Sequence, residues 1–86
     1  MITDKPGAAA AGEIEIWAGR IARESDEGVQ TSVYHDSDSS TYVIRLAKRN
    51  RVLLFRLSEV QVRSPDRERE CEKTLKAKIK DLGTNH

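Results

Sequence analysis

Residues 45–56 read RLAKRNRVLLFR, with Arg45, Lys48, Arg49, Arg51 and Arg56 threaded through apolar side chains. No acid lies between Asp38 and Glu59. A dense run of guanidinium and ammonium groups suits a phosphate backbone, where each contact releases a condensed counterion and makes binding salt-dependent. A second row follows downstream. Arg69, Lys73, Lys76 and Lys80 recur at i, i+4, i+7 and i+11 and therefore share one helix face. Arg69/Lys73 and Lys76/Lys80 are like-charged (i, i+4) pairs, each unfavourable by about 0.2–0.5 kcal/mol. Such a local cost is expected where cations are held for phosphate. A solvated face accounts for the same residues, because Glu68, Glu70 and Glu72 interleave with them and Glu72 lies one turn before Lys76. The hairpin cations have a structural reading too, since basic side chains guard an exposed strand edge against aggregation.

Catalytic and metal-binding sets are hard to assemble. His35 is the sole internal histidine, and His86 ends the sequence. His35 beside Asp36 and Asp38 could be drawn as a base with a carboxylate, but a solvated or locally bonded histidine is the plainer reading. DSDSST starts like a calcium loop and lacks the glycine and the distal bidentate glutamate. Cys71 has no Cys or His at ligand spacing and reads as a buried thiol. There is no glycine-rich phosphate loop. No catalytic residue, metal or cofactor is expected.

The elements that must position these groups are written as alternation and periodicity. Residues 29–36 alternate Val29, Thr31 and Val33 against Gln30, Ser32 and Tyr34, and residues 41–47 alternate again. A four-residue loop over 36–39 would set Val33 opposite Tyr42, Thr31 opposite Ile44 and Val29 opposite Leu46. A two-residue turn at Arg49-Asn50, with Asn taking positive φ, would pair Leu46 with Leu53, Ile44 with Phe55 and Tyr42 with Leu57. That row continues one apolar face without a slip, which supports the register. Val43, Ala47, Val52 and Leu54 fall on the other face beside Arg45 and Arg56, while Lys48, Arg49 and Arg51 crowd the tip. Val43, Val52 and Leu54 there would suit a buried subunit contact. Tyr34, also outward, is the one aromatic left for base stacking.

Helices flank this meander. Ile14, Trp17, Ala18 and Ile21 at i, i+3, i+4 and i+7 predict a helix over 13–25, against a strand-like Ile14/Ile16 alternation and the cost of Gly19. Residues 58–63, SEVQVR, break the strand alternation and read as an irregular connection. Ser64-Pro65-Asp66 has the form of a helix start, and Gly83 that of a stop, giving a helix over 65–82 with the stripe Cys71, Leu75, Ile79 and Leu82. Residues 1–12, rich in Gly and Ala, read as a flexible arm, and 84–86 as a tail.

Eighty-six residues make one domain, over 13–83, near the lower limit of unaided folding. With 37% apolar residues the core must be thin, so an oligomer interface would help it. One cysteine excludes an internal disulfide framework and fits a reducing compartment. No apolar run reaches the roughly 20 residues of a membrane span, and MITDKPGAAAAG lacks the regions of a secretory signal, so a cytoplasmic location is expected. The net charge of +1 hides an asymmetry: residues 1–41 carry three Lys/Arg against eight Asp/Glu, and residues 42–86 twelve against six. Either a charged partner or mutual attraction of the halves would account for it.

The expected fold is an α+β two-layer domain, helix, three-stranded antiparallel meander, helix. This order is shared with double-stranded-RNA-binding domains and with some small toxins. The second helix has no KKxAK-type lysine cluster at its start, and no motif of either group is present. Element order therefore implies architecture without activity. The leading functional expectation is a small non-enzymatic protein that binds the phosphate backbone of DNA or RNA through Arg45, Lys48, Arg49, Arg51 and Arg56 of the hairpin and Arg69, Lys73, Lys76 and Lys80 of the last helix. The alternative is a protein-interaction module or homodimer acting through Val43, Val52 and Leu54.

Overall fold

The computed structural model describes residues 1–83; the tail expected at 84–86 lies outside the described residues. Helix α1 spans Gly7–Ser25, strands β1, β2 and β3 span Gln30–Asp36, Thr41–Lys48 and Arg51–Ser58, and helices α2 and α3 span Glu59–Arg63 and Glu68–Gly83. The strands form one antiparallel sheet in the order β1-β2-β3. The fold is α+β, an α-β-β-β-α arrangement with a short extra helix before the last one.

The inner face of the sheet carries Tyr42, Ile44 and Leu46 on β2, opposite Leu57, Phe55 and Leu53 on β3. This is the register that the continuous apolar row predicts. The β1–β2 register differs: Val33 faces Ile44 and Thr31 faces Leu46. Asp36 belongs to the strand, paired with Thr41, and its Oδ1 accepts the Asp38 N–H at 3.1 Å. The four-residue loop therefore starts one residue later, with Ser40 at φ 55. The resulting slip of two on the partner preserves side-chain parity, so Thr31 and Val33 stay on the expected face.

Both long helices pack on that inner face. Helix α1 buries Ala10, Ala11, Ile14, Trp17, Ala18, Ile21 and Ala22, mostly against β1. Helix α3 buries Cys71, Leu75, Ile79 and Leu82 against β2 and β3, and the two helices touch. Full burial of an aliphatic side chain stabilises by about 1.5–3 kcal/mol, so the four α3 positions anchor an otherwise highly charged helix.

Three expectations about boundaries are corrected. Residues 1–12 are not an arm outside the domain. Helix α1 starts at Gly7, Ala10 and Ala11 join the core, and the Ile2 N–H donates to the Val62 carbonyl at 2.9 Å. Thr3 is buried and hydrogen-bonds Glu13, whose other oxygen meets Lys5 at 3.0 Å. The run of alanines favours helix strongly, which a search for apolar periodicity alone overlooks. Next, residues 59–63 are helical. Ser58 and Gln61 form a reciprocal capping box, each side chain bonding the other's backbone N–H at 3.0 and 2.8 Å. Finally, Ser64 closes α2, with its N–H donating to the Val60 carbonyl, and the Arg67 N–H donates to the Ser64 carbonyl, so α3 begins at Glu68 rather than 65.

Glycines in α1 give opposed expectations. Gly7 sits at φ +57, where a side chain is strained, whereas a Cβ at Gly19 would meet nothing within 4 Å. Gly19→Ala should raise unfolding free energy by about 0.5–1 kcal/mol and Gly7→Ala should lower it, read from urea midpoints followed by Trp17 fluorescence.

Candidate functional site

The outer face of the sheet carries no helix. The pairing registers lay it out as four rows across β1, β2 and β3: Gln30, Ala47, Val52; Ser32, Arg45, Leu54; Tyr34, Val43, Arg56; and Asp36, Thr41, Ser58. Leu54 is 57% exposed, and Val52 and Tyr34 are each 53% exposed. Val43 is only 1% exposed and is not available as a contact residue, which corrects its expected role in an interface. The Arg56 guanidinium crosses the central strand to Asp36 Oδ2 on β1 at 3.0 Å, within reach of Thr41 Oγ1 at 3.0 Å and Ser39 Oγ at 3.3 Å. Val43 lies between Tyr34 and Arg56 in its row. Tyr34 takes Val43's place as an exposed member of the face, a role its outward parity in β1 already signalled.

The structure separates the expected phosphate-binding cations into two groups. Several are already engaged within the fold. Lys48 pairs with Asp26, Arg56 with Asp36, and Lys76 with Glu72 at 3.0 Å one turn earlier. An Arg51 guanidinium N–H donates to the Leu82 carbonyl at 3.1 Å, fixing the hairpin tip to the C-terminal end of α3. Lys80 is engaged as well. Arg45, Arg49, Arg69 and Lys73 are exposed and form no hydrogen bond or ion pair among the described residues. The two basic elements also diverge, except that Arg56 and Lys73 line one cleft beside β3. Helix α3 turns its Cys71–Leu82 stripe to the sheet, so its basic stripe points away from it. Arg45 projects from the opposite side of the sandwich.

At the tip, Lys48, Arg49, Asn50 and Arg51 line a cleft of about 190 Å³ with Leu82 and Gly83. The positive φ of the turn falls on Arg49, at 57°, and not on Asn50 as its residue type suggests. Lys48 and the Gly28 N–H, 2.9 Å from Asp26 Oδ1, hold the Asp26 carboxyl below its usual range, the lysine being the larger cause. Arg56, then Ser39, lowers the Asp36 carboxyl in the same way. Part of the charge asymmetry between the halves is thus consumed internally, an acid of the first half meeting a base of the second in each case.

His35 does not use Asp36 or Asp38. Its Nε2 lies 2.8 Å from Glu59 Oε2 at the start of α2, and its ring stands 4.9 Å from the Tyr42 ring. This pair ties the end of the first hairpin to the end of the second. The Glu59 partner comes from 24 residues away, and no local pattern marks it. Burial, then Glu70, raises the Cys71 thiol above its ordinary value, which keeps it unreactive. Among the described residues, no cluster of three His, Cys, Asp or Glu is placed to hold a metal ion, and no helix is long and apolar enough to cross a membrane. Comparison with protein-family models, curated proteins and solved structures finds no match for the chain.

With Glu13, lowered first by Thr3 and then by Lys5, the Asp26 and Asp36 carboxyls set an acid limb. The folded chain keeps Asp26 and Asp36 ionised where the unfolded chain would protonate them, so their contribution is complete above about pH 4 and is lost as pH falls through the lowered folded values. Unfolding midpoints measured between about pH 7 and pH 2 should fall on the acid side, and the double variant Asp26→Asn/Asp36→Asn should show a shallower fall.

Proposed function

We propose that the chain is a small non-enzymatic protein-interaction module that works through the open face of its sheet. One observation carries this reading: Leu54 and Val52, both more than half exposed, stand on a sheet face that the helices leave bare, in a chain with little apolar surface to spare. Single surface apolar residues need no explanation, but here Val52 and Leu54 are neighbours on one face beside Ala47, with Tyr34 on the same face at the opposite edge. The phosphate-binding alternative asks the hairpin and α3 to act together, and their divergence, with Lys48, Arg51 and Arg56 bound internally, weighs against it.

A segment of another protein suits this face better than a second copy of the chain. Three strands at about 4.8 Å spacing and eight residues of length give a footprint of roughly 350 Å². Any contact confined to this footprint would bury roughly 700 Å² in total, the size of a weak or transient contact rather than of a stable dimer. We place the protein in the cytoplasm, because its one cysteine is buried and unpaired, as a reducing compartment would leave it.

The reading is tested by a photo-crosslinking residue introduced at Val52 or at Lys73 in cells producing the chain. Crosslinking to a discrete protein from position 52 and none from position 73 is expected, together with a monomer by sedimentation. Titration with duplex DNA, duplex RNA and single strands at two salt concentrations completes the test. Tight binding that falls steeply with salt and is lost on Arg69→Ala/Lys73→Ala would overturn the reading in favour of a polyanion site on α3.

A further inference from the structure

The charges on the open face are unbalanced. Its carboxylate, Asp36, is taken by Arg56, while Arg45, at the centre of the face between Ser32 and Leu54, has no hydrogen bond or ion pair among the described residues. Val43 and Ala47 flank Arg45 along β2, and Tyr34 and Val52 lie one diagonal step away. A guanidinium in that setting would lose its hydration when an apolar surface covered it. The cost is offset only where the covering surface brings an anion, and a carboxylate supplies a bidentate, charge-assisted pair. Arg49, also without such a bond, adds a second cation at the adjoining tip and is kept in a left-handed conformation that costs a non-glycine residue about 1–2 kcal/mol.

Backbone chemistry decides what form the anion's carrier takes. The N–H and C=O groups of a sheet lie in its plane and are spent on neighbouring strands, so the face offers side chains alone. A segment lying on it must satisfy its own backbone groups, which a helix does and an extended chain does not. Adding a strand at the free edge of β1 is opposed, because the Glu15 carboxylate of α1 already accepts the Val33 N–H at 2.9 Å. The dimensions agree. Eight residues of β2 span roughly 25 Å and three strands roughly 14 Å, room for one helix of about 15 residues and about 10–12 Å diameter. A second copy would bring its own Arg45 and Arg49 and would aggravate the imbalance.

We propose that the open sheet face docks an acidic amphipathic α-helix of a partner protein, its apolar stripe on Tyr34, Val52 and Leu54 and its carboxylates on Arg45 and Arg49. The proposal rests on the reading of this face as an interaction surface and adds the partner's chemistry.

The test titrates the ¹⁵N-labelled full chain with synthetic amphipathic peptides of about 15 residues that share one leucine stripe. One carries Glu on its polar face, one carries Lys, and one is the Glu peptide scrambled to destroy the stripe. A short single-stranded oligonucleotide is the fourth ligand. The Glu peptide should bind at least about tenfold more tightly than the Lys and scrambled peptides and should shift the amides around Tyr34, Arg45, Val52 and Leu54. Arg45→Glu should weaken it by about tenfold or more, whereas Lys73→Glu, the same charge change on the other layer, should leave it unaltered. Arg45 and Leu54 are exposed, and a thermal melt of each variant verifies that the fold persists.

If the Lys peptide binds as tightly, or Arg45→Glu has no effect while Leu54→Asp abolishes binding, the acidic helix is overturned and the interaction face stands. If the oligonucleotide moves the same amides more strongly than the Glu peptide, the occupant is a nucleic acid and the proposal fails. If no ligand moves these amides, the proposal and the interaction reading fall together.

Discussion

Two helices can cover one face of a three-stranded sheet, and this chain has two of useful length. That geometric limit organises the molecule. With α1 over β1 and α3 over β2 and β3, the whole apolar set of Tyr42, Ile44, Leu46, Leu57 and the helix stripes is gathered on one side. The other side of the sheet has to survive in water or be covered by something else. Its composition is intermediate between those two fates. Ser32, Gln30 and Thr41 are ordinary solvated strand residues, whereas Val52, Leu54 and Tyr34 are not fully reconciled with water. Val43, between Tyr34 and Arg56, is buried, and Arg56 fixes its head on Asp36.

The charge distribution follows from the same arrangement. Because β1 and the loop before it come from the acidic half and β2 and β3 from the basic half, antiparallel pairing sets acids beside bases. Lys48 meets Asp26 and Arg56 meets Asp36 for this reason. These contacts lie partly in water, where single ion pairs contribute little to stability. Their consequence is positional: Lys48 and Asp26 bring the hairpin tip to the loop after α1, and Arg51 brings it to the end of α3. A basic tip that reads in the sequence as a free phosphate contact is therefore largely a structural joint.

What was legible in the sequence and what was not divide along physical lines. Register across the β2–β3 hairpin could be read because Tyr42, Ile44 and Leu46 must all land on apolar partners, so a slip of one residue would expose the row. The β1–β2 loop could not be placed to the residue, since the DSDSS stretch offers several equivalent turn starts and a slip of two costs no parity. Helix α2 carried a readable signal in Ser58-x-x-Gln61, a capping box passed over in a stretch that read only as a break in the strand alternation. The site was less legible than the fold. Parity alone places Arg45, Val52 and Leu54 on the outer face, but it cannot tell that Arg56 would bend across to Asp36. That outcome depends on a partner 20 residues away and on the length of an arginine side chain.

The contrast between Arg45 and Arg56 condenses the functional question. Both stand on the outer face, in adjacent rows, and both have stems long enough to cross to β1. Arg56 reaches diagonally into the adjoining row, to Asp36, and is neutralised there. Arg45 faces Ser32, which can take a hydrogen bond and no charge. A carboxylate at position 32 would have closed the face electrostatically and left a guarded sheet like many others. Instead a cation without a hydrogen bond or ion pair among the described residues sits exposed among Leu54, Ala47 and Val43, where any covering surface must answer it. A face meant only for solvent gains nothing from that placement, whereas a face meant to be covered gains selectivity, since a neutral or basic segment would desolvate Arg45 without repaying it.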